Sequence, residues 1–299
     1  MERLQSFADT LVFNPQTRPL TEDELIPLLE GCDGCIAGLD PYSRKVIENT
    51  NGLKVISRYG IGVDNVDLAA AGEKGVKVCN TPGANAQAVA DLTLALMLCA
   101  ARKVTVLDRK TREGQWPRST GIELFGKTAG LLGLGAVGKA VAKRAAGFSM
   151  KVMAYDPFID LEYARTNNIF PEPFERVLKE ADFICLHLPL TNETRHIINA
   201  DTMGMMKKGV ILVNTARGGL IDEKAALEML KAGHLGGLGL DVYEKEPPGD
   251  DPLFQLENVV VTPHTAAHTA EATAAMATRA VENLIEVLSG GDCQYIVRG

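Results

Sequence analysis

The chain has 299 residues, of which 46% are hydrophobic and 23% are charged. This balance is typical of a soluble globular protein and leaves room for about two domains of roughly 150 residues each. The formal net charge of −7 argues against a general nucleic-acid partner. No apolar run reaches the roughly 18 residues of a membrane span, and the sequence MERLQSFADT lacks a signal-peptide core. We therefore expect a cytoplasmic protein with neither nucleic-acid nor membrane partners.

The six cysteines are scattered, and only Cys32 and Cys35 have a motif spacing. A redox or metal-binding pair needs exposed, electropositive surroundings or further ligands. This pair instead joins a predicted helix end to an apolar strand, and cysteine is often buried. We interpret the pair as buried free thiols and predict no metal site.

Strands and helices alternate over the first third of the chain. The predicted strands cover residues 11–13, 35–37, 53–57 and 76–79. This rhythm is typical of a parallel sheet with helices on both faces. Ligands gather at the carboxyl ends of such strands, so the turns at residues 60–62 and 80–83 are candidate ligand loops. Plain connecting turns are the alternative.

A long helix is predicted from about Asn85 to beyond Lys110. Residues 90–98 are apolar almost all round, which indicates burial, whereas the second half is charged. We interpret this helix as a linker between two domains. Trp116, the only tryptophan, marks either a subunit contact or an ordinary surface position.

A second alternation begins near Lys127. The final helix, predicted for residues 271–288, returns to the first domain, and residues 294–297 then pair near the start of that domain. The sequence predicts an α/β protein with two doubly wound parallel-sheet domains and a cleft between them. One domain is discontinuous (1–97 plus 268–299) and the other is inserted (98–267). The predicted strands of the second domain are 129–132, 152–155, 183–187, 211–214, 239–242 and 259–262.

The first turn of the second domain has the spacing G-x-G-x-x-G, with Gly133, Gly135 and Gly138. The first glycine permits the tight turn, the second lets a pyrophosphate approach the backbone, and the third allows close helix packing. The helix that begins near Ala136 directs free N–H groups at an anion. Asp156 follows at close to the usual separation of roughly 20 residues and suits a ribose hydroxyl. The pattern predicts dinucleotide binding, with an ordinary strand-to-helix turn as the alternative. Because a carboxylate at Asp156 would repel a 2′-phosphate, we expect NAD rather than NADP.

Three strand ends of the second domain offer Arg217, Glu246 and His264. An arginine grips a carboxylate with two parallel bonds. A histidine exchanges a hydroxyl proton near neutral pH, and a neighbouring carboxylate stabilises the imidazolium. Hydride transfer between a C–OH group and nicotinamide needs these residue types. From the residues alone, a lone histidine such as His264 is more often structural than catalytic, and His268 is a second candidate for the acid–base role.

The sequence resembles the D-isomer-specific 2-hydroxyacid dehydrogenases, and within them the phosphoglycerate dehydrogenases. The resemblance covers nearly the whole chain from about Leu11. It implies a flavodoxin-like substrate domain, a Rossmann nucleotide-binding domain, and a homodimer formed through the nucleotide domain and the charged part of the linker helix. The motifs that carry it are SRYGIGVDNVD (57–67), NTPGAN (80–85), GLLGLGAVG (130–138), YDP (155–157), LHLPLT (186–191), NTARGGLIDE (214–223), LDVYEKEPP (240–248) and TPH (262–264).

The resemblance implies a role for each matching residue. Arg217 matches the arginine that binds the substrate carboxylate, Glu246 the catalytic acidic partner, and His264 the acid–base histidine. The remaining matches are the pyrophosphate-binding amides of Ala136 and Val137, the adenosine-side Pro189 and Thr194, the nicotinamide-side Thr215 and Asp241, and a substrate-carboxylate cradle made of the Ile61 and Gly62 N–H groups with Arg58 beside them.

One departure bears on the substrate. Many phosphoglycerate dehydrogenases carry a phosphate-binding arginine after the second strand, where this chain has Asp40. An acid there disfavours phosphate, although Arg44 or a partner subunit could compensate. The regulatory domain of the longer enzymes is expected to be absent.

The hypothesis is an NAD-dependent oxidoreductase that acts on a small D-2-hydroxy acid or 2-oxo acid, with 3-phosphoglycerate among the candidates. One alternative is a glyoxylate or hydroxypyruvate reductase. Another, from a different class, is an NADH-sensing binding protein that resembles the C-terminal binding corepressors.

Overall fold

The computed structural model of this protein describes residues 2–297, and the chain forms two compact units. Unit 1 is discontinuous: it contains the described residues up to Asn85 together with those from Thr269 onward. Unit 2 is the continuous segment Ala86–His268. Each unit is an α/β structure around a parallel sheet, as the strand and helix rhythm predicts.

Unit 1 contains a three-stranded parallel sheet in the order β1-β2-β3, in which Cys35 pairs with Ile56 and Ile56 with Val78. The long final helix packs on the first two strands. The elements of unit 1 are α1 (Glu2–Phe7), α2 (Glu22–Leu29), β1 (Gly34–Ala37), α3 (Arg44–Glu48), β2 (Val55–Arg58), α4 (Leu68–Glu73), β3 (Lys77–Cys79) and α12 (Ala270–Leu288).

The strand predicted at residues 11–13 is wrong. Val12 and Phe13 are exposed and lie outside the sheet. The chain turns immediately afterwards, because Oδ1 of Asn14 accepts from the N–H of Gln16 at 2.7 Å, and Pro15 has no N–H for a strand ladder. At the other end, Ile296 forms an antiparallel bridge with Cys79 at the end of β3, rather than pairing near the start of the unit.

Unit 2 contains a seven-stranded parallel sheet in the order β10-β9-β8-β7-β4-β5-β6. The carboxyl ends of all seven strands therefore lie at one edge of the sheet. The elements are α5 (Ala86–Arg102), α6 (Val104–Arg112), β4 (Thr128–Leu132), α7 (Ala136–Gly147), β5 (Lys151–Tyr155), α8 (Leu161–Thr166), β6 (Ile169–Pro171), α9 (Phe174–Glu180), β7 (Phe183–Leu186), α10 (Ala200–Gly204), β8 (Val210–Asn214), α11 (Glu223–Lys231), β9 (Leu235–Leu240) and β10 (Val259–Val261), with short 3₁₀ turns at Gly218–Leu220 and Pro252–Gln255.

The predicted linker helix is two helices. Lys103 adopts φ 53°, a left-handed conformation that ends α5 and begins α6. The domain boundary predicted after residue 97 falls inside α5. Buried Leu94 and Met97 belong to the hydrophobic core that α5 shares with β4 and α7, so the whole helix belongs to unit 2.

Two strands of unit 2 differ from the prediction. The short edge strand β6 has no strong signal in the sequence, because it has three residues and ends in a proline. Strand β9 begins at Leu235, earlier than expected, since Gly236 and Gly237 weaken the strand pattern. Gly236 is required there because a Cβ would lie 2.3 Å from the carbonyl oxygen of Gly209.

The cysteines are free thiols. Cys32 and Cys35 are half-buried rather than buried, because Cys35 lies on the edge strand β1 and Cys32 in the turn before it. Among residues 2–297, no helix is long and apolar enough to cross a membrane.

Candidate active site

The glycine turn of unit 2 connects β4 to α7. Gly133 adopts φ 106°, a region that favours glycine, and a Cβ there would lie 2.6 Å from the carbonyl oxygen of His187. A Cβ on Gly138 would lie 2.2 Å from the carbonyl oxygen of Gly133. A Cβ on Gly135 would meet nothing within 4 Å. Two glycines therefore permit close packing, and the third leaves open space beside the helix N-terminus.

The residues around that space fit a dinucleotide. The N–H groups of Ala136 and Val137 lie in the first turn of α7, where an α-helix offers them no acceptor and its dipole favours an anion. Asp156, after β5, accepts from the N–H of Leu134 at 2.7 Å and from the N–H of Phe158 at 2.8 Å. Its carboxylate thus lies against the glycine turn and retains lone pairs for further donors.

The neighbouring strand ends contribute further polar groups to the same edge of the sheet. Oγ1 of Thr194 donates to the carbonyl oxygen of Pro189 at 2.7 Å and accepts from the N–H of Thr191 at 2.7 Å. Thr215, after β8, is only 8% exposed and forms a 2.8 Å hydrogen bond with Oγ1 of Thr93. The predicted adenosine-side pair is therefore held together, and Thr215 is fixed from helix α5.

Arg217 lies in a turn that Asn214 shapes. The buried Asn214 donates from Nδ2 to the carbonyl oxygen of Arg217 at 2.8 Å, and its Oδ1 accepts from the N–H of Ala216 at 3.0 Å. A Cβ on Gly218 would lie 1.8 Å from the carbonyl carbon of Tyr243. The turn that carries Arg217 therefore packs directly against the loop after β9.

Asp241, the first residue after β9, is completely buried. Its Oδ1 accepts from Oγ1 of Thr262 at 2.6 Å and from the N–H of Thr265 at 2.8 Å, and Oδ2 accepts from the N–H of Ala266 at 2.9 Å. The carbonyl oxygen of Asp241 accepts from the N–H of His264 at 2.8 Å. Asp241 therefore fixes the turn that carries His264 through four hydrogen bonds.

His264 and Glu246 form a polar pair. Nδ1 of His264 lies 2.6 Å from Oε2 of Glu246, and the two side chains are 32% and 34% exposed. Burial raises the pKa of Glu246, but the hydrogen bond and charge of His264, the N–H of Tyr243 and the charge of Arg217 outweigh it and lower the pKa overall. His264 adopts φ 50°, a backbone conformation that costs non-glycine residues roughly 1–3 kcal/mol and clusters at functional sites.

The sequence that forms this sheet edge matches a known family. Residues 94–266 match the sequence profile described as the NAD binding domain of D-isomer specific 2-hydroxyacid dehydrogenases. The chain belongs to this family. Its cofactor is NAD(H), which agrees with the glycine turn and with Asp156.

Relatives with different activities are similar to this chain. A D-3-phosphoglycerate dehydrogenase of Methanocaldococcus jannaschii is 45% identical over 282 residues, which are 93% of this chain and 54% of that protein. A hydroxypyruvate reductase of Thermotoga maritima is 45% identical over 280 residues, 90% of this chain and 89% of that protein. A crystal structure of a glyoxylate reductase from Paecilomyes thermophila superposes with a TM-score of 0.90 at 31% identity, covering 99% of this chain and 93% of that one. The chain thus spans about half of the first relative and most of the others.

The predicted substrate residues of unit 1 lie at the carboxyl end of β2. Arg58 is only 4% exposed; it donates from Nε to the carbonyl oxygen of Gly62 at 2.9 Å and from Nη1 to that of Ala37 at 2.6 Å, and it also contacts that of Gly38. The guanidinium therefore supports the turn that contains Ile61 and Gly62. A direct role for Arg58 in binding substrate stays a prediction.

The side chains of Asp40 and Arg44 both bond to other residues of unit 1. Oδ1 of Asp40 accepts from the N–H of Leu20 at 2.7 Å. Arg44 lies 2.6 Å from Glu73 and 3.1 Å from Glu48, and these hydrogen bonds raise its pKa. The charge of Arg44 is therefore already balanced by neighbouring carboxylates.

Sequence reasoning missed three supporting residues. Thr93 fixes Thr215, Asn214 shapes the Arg217 turn, and Tyr243 links the two loops because its hydroxyl donates to the carbonyl oxygen of Thr262 at 2.7 Å. Thr93 had a signal, as a polar residue within an apolar stretch of α5. Asn214 bonds only within its own turn, to residues two and three positions further on, and an asparagine that begins a turn is a signal in the sequence. Tyr243 acts through a contact with a segment far along the chain, and it had no signal.

Proposed function

We propose that this protein catalyses NAD-dependent hydride transfer at C2 of a small D-2-hydroxy acid or 2-oxo acid. The observation that carries the proposal is the 2.6 Å contact between Nδ1 of His264 and Oε2 of Glu246, at the sheet edge that also carries Arg217 and the glycine turn. The pair supplies an acid–base group, and Arg217 supplies a cation for a carboxylate.

Each residue has one chemical task. During oxidation, Nε2 of His264 takes the proton from the substrate hydroxyl, and Glu246 stabilises the imidazolium that forms. Arg217 binds the substrate carboxylate with two parallel bonds. The family resemblance also assigns carboxylate binding to the N–H groups of Ile61 and Gly62. When bound, NAD supplies the acceptor or donor of the hydride. During reduction, His264 returns the proton to the substrate oxygen.

The residues proposed to hold NAD lie at the carboxyl edge of the unit 2 sheet. Gly133, Gly135 and Gly138 keep the turn free of side chains, and the N–H groups of Ala136 and Val137 would hold the pyrophosphate. The remaining positions are Asp156 for the ribose, Pro189 and Thr194 for the adenosine side, and Thr215 and Asp241 for the nicotinamide side.

The charges of unit 1 favour a substrate without phosphate. The three loops after β1, β2 and β3 (residues 38–43, 59–67 and 80–85) contain Asp40, Asp64 and Asp67 but no Lys, Arg or His. Arg44, the cation nearest in sequence to Asp40, is paired with two glutamates. A phosphate dianion would gain no cation from these loops, so we propose glyoxylate or hydroxypyruvate rather than the 3-phosphate as the 2-oxo acid.

A substrate panel run in both directions tests the function. NADH oxidation would be followed with glyoxylate, hydroxypyruvate and 3-phosphohydroxypyruvate, and NAD reduction with the D-hydroxy acids. We expect kcat/KM for hydroxypyruvate to exceed that for its phosphate by at least about tenfold, since like-charge juxtapositions cost several kcal/mol. Preference for the phosphate would contradict the substrate choice. Tight NADH binding without turnover on any member would instead support the NADH-sensing binding protein.

We also propose a homodimer, formed through α6 and the segment after it. Among the described residues of α6 none is buried, residues 113–120 are exposed throughout, and Trp116 is 84% exposed. An amphipathic helix and a tryptophan that pack so little on their own unit are suited to cover by a second copy. A cytoplasmic location stays a prediction.

A further inference from the structure

Two histidines of unit 2 share an unusual arrangement. His264 and His196 adopt φ values of 50° and 49°, in the left-handed region that is uncommon for residues with side chains. Each ring contacts a glutamate of the same loop: Nδ1 of His264 contacts Glu246, and Nε2 of His196 contacts Oε1 of Glu244. The proposed chemistry uses the first pair only, which leaves the second without an assigned task.

The loop that carries both glutamates has little apolar support. Residues 244–247 are all exposed, so the position of Glu246 depends on polar contacts. The N–H of Tyr243 donates to Oε1 of Glu246 at 3.1 Å, and the N–H of Glu244 donates to Oε1 of Glu223 at 3.0 Å. The contact with His196 is the side-chain link between this loop and the segment that follows β7.

His196 is itself bound to the turn that carries Arg217. Its N–H donates to the carbonyl oxygen of Gly219 at 2.8 Å, and its carbonyl oxygen accepts from Nδ2 of Asn199 at 3.0 Å. Two residues further on, the N–H of Ile198 donates to the carbonyl oxygen of Leu220 at 3.1 Å. The main chain of His196 therefore bonds to the turn that carries Arg217, and its ring contacts the loop that carries Glu246.

We propose that His196 and Glu244 are positioning residues for the proposed reaction, on which this inference rests. The pair holds the loop of Glu246 against the turn of Arg217, so that Glu246 stays within hydrogen-bond distance of His264. Neither residue donates or accepts a proton in the reaction. Because displacements of about 1 Å in a reacting constellation can reduce the rate about 100-fold, loss of this link should reduce turnover and leave cofactor binding intact.

The experiment compares four single variants of the full chain and the double variant that combines Glu244→Ala with His196→Asn. Glu244→Ala removes the link from an exposed side chain and is the deciding variant. Glu244→Gln keeps an oxygen that accepts from the His196 ring. His196→Asn removes the ring but keeps a residue type that tolerates the left-handed backbone. His234→Asn is the matched control, because the ring of His234 contacts the carbonyl oxygen of Met203 at 2.8 Å at the opposite edge of the sheet.

The expected result is a split between turnover and binding. Glu244→Ala and His196→Asn should lower kcat about 10- to 100-fold, with the NADH dissociation constant, measured by calorimetry, within about twofold of wild type. Glu244→Gln should recover most of the activity, and the double variant should be no worse than either single one, as for one shared interaction. A kcat within about twofold of wild type in Glu244→Ala, or additive losses in the double variant, would overturn the proposal.

A second readout needs neither cofactor nor turnover. The imidazole ¹⁵N resonances of His264 in the free protein report its hydrogen bond to Glu246. They should shift in Glu244→Ala and stay unchanged in His234→Asn; unchanged resonances in both would overturn the positioning role. If the wild-type protein turned over no 2-oxo acid, the proposed function would fail, and these resonances would still decide whether the His196–Glu244 pair positions Glu246.

Discussion

Nδ1 of His264 lies 2.6 Å from Oε2 of Glu246, so the orientation of the imidazole is set by the carboxylate and Nε2 is the ring nitrogen available to a substrate. Because the pKa of Glu246 is lowered, the carboxylate is charged at neutral pH. A lowered pKa contributes stability above the unfolded value of about 4.3, and this contribution is lost as the pH falls through the folded value. The pair is therefore intact over the range in which histidine chemistry operates.

Replacing His264 should separate chemistry from binding. We expect His264→Ala to lose about 10²–10⁴-fold in kcat, the usual contribution of a general acid–base group, while the NADH dissociation constant changes little. Steady-state kinetics and calorimetry measure the two quantities. His268→Ala is the control, because the described structure gives His268 no contact with Glu246. Near-normal turnover in His264→Ala would overturn the assignment.

His187 should make the stability of the protein depend on pH. Both ring nitrogens are buried without a hydrogen-bond partner among residues 2–297, and burial lowers the pKa of His187 to about 4. Between this value and the unfolded pKa of about 6.5, the unfolded chain binds a proton that the folded chain does not. Stability is therefore full above about pH 6.5 and falls as the pH drops, by at most about 3 kcal/mol near pH 4.

Urea unfolding between about pH 7 and pH 5 tests this dependence, because each pKa unit corresponds to about 1.4 kcal/mol. His187→Leu removes the titrating ring and should flatten the pH dependence without loss of stability at neutral pH, since the ring makes no hydrogen bond that leucine would lose. Equal slopes in the two proteins would show that another group dominates.

Gly138 should tolerate no side chain, in contrast to another glycine of the same helix. In Gly138→Ala the Cβ would lie 2.2 Å from the carbonyl oxygen of Gly133, so the glycine turn must move. We expect weaker NADH binding and a lower melting temperature. Gly147→Ala, with no atom within 4 Å of its Cβ, should bind NADH normally and gain up to about 1 kcal/mol from helix propensity. Equal NADH affinities in the two variants would contradict this account of the turn.

A charge placed at the proposed dimer contact should dissociate the homodimer. Trp116→Glu changes a residue that is 84% exposed, so the fold of unit 2 should be unaffected. Light scattering coupled to size exclusion should give a dimer for wild type and a monomer for the variant. Phe158→Glu changes an aromatic residue that is even more exposed and lies outside α6 and its following segment, and this variant should remain dimeric. A monomeric wild type would overturn the proposal.

The sequence predicted the fold best where one segment carried its own signal. Strands β4, β5, β7 and β8 are buried apolar runs, and their predicted bounds agree with the structure to within a residue. The sequence did not predict the break between α5 and α6 at Lys103, because lysine is a good helix former. Only the backbone conformation of Lys103 marks this break. The strand wrongly predicted at residues 11–13 is a short apolar run that does not join the sheet in the folded unit.

The sequence singled out the residue types of the candidate site, but not the contacts that support them. The family motifs single out His264 over His268. The structure places His264 in contact with Glu246, and its acid–base role stays a prediction. Sequence spacing could not reveal that the carboxylate of Asp241 holds the His264 turn, or that Arg58 donates to main-chain carbonyls. Both facts depend on hydrogen bonds that form only after the strands are in register.

Isotope transfer distinguishes direct hydride transfer to C2 of the substrate from any other route to the product. A single turnover of hydroxypyruvate with NADH that carries deuterium at both C4 positions of the nicotinamide would be analysed for the position of deuterium and the configuration of the product. We expect deuterium at C2 of D-glycerate with wild type and none with His264→Ala on the same timescale. L-glycerate, a product without deuterium at C2, or no turnover with any 2-oxo acid would contradict it.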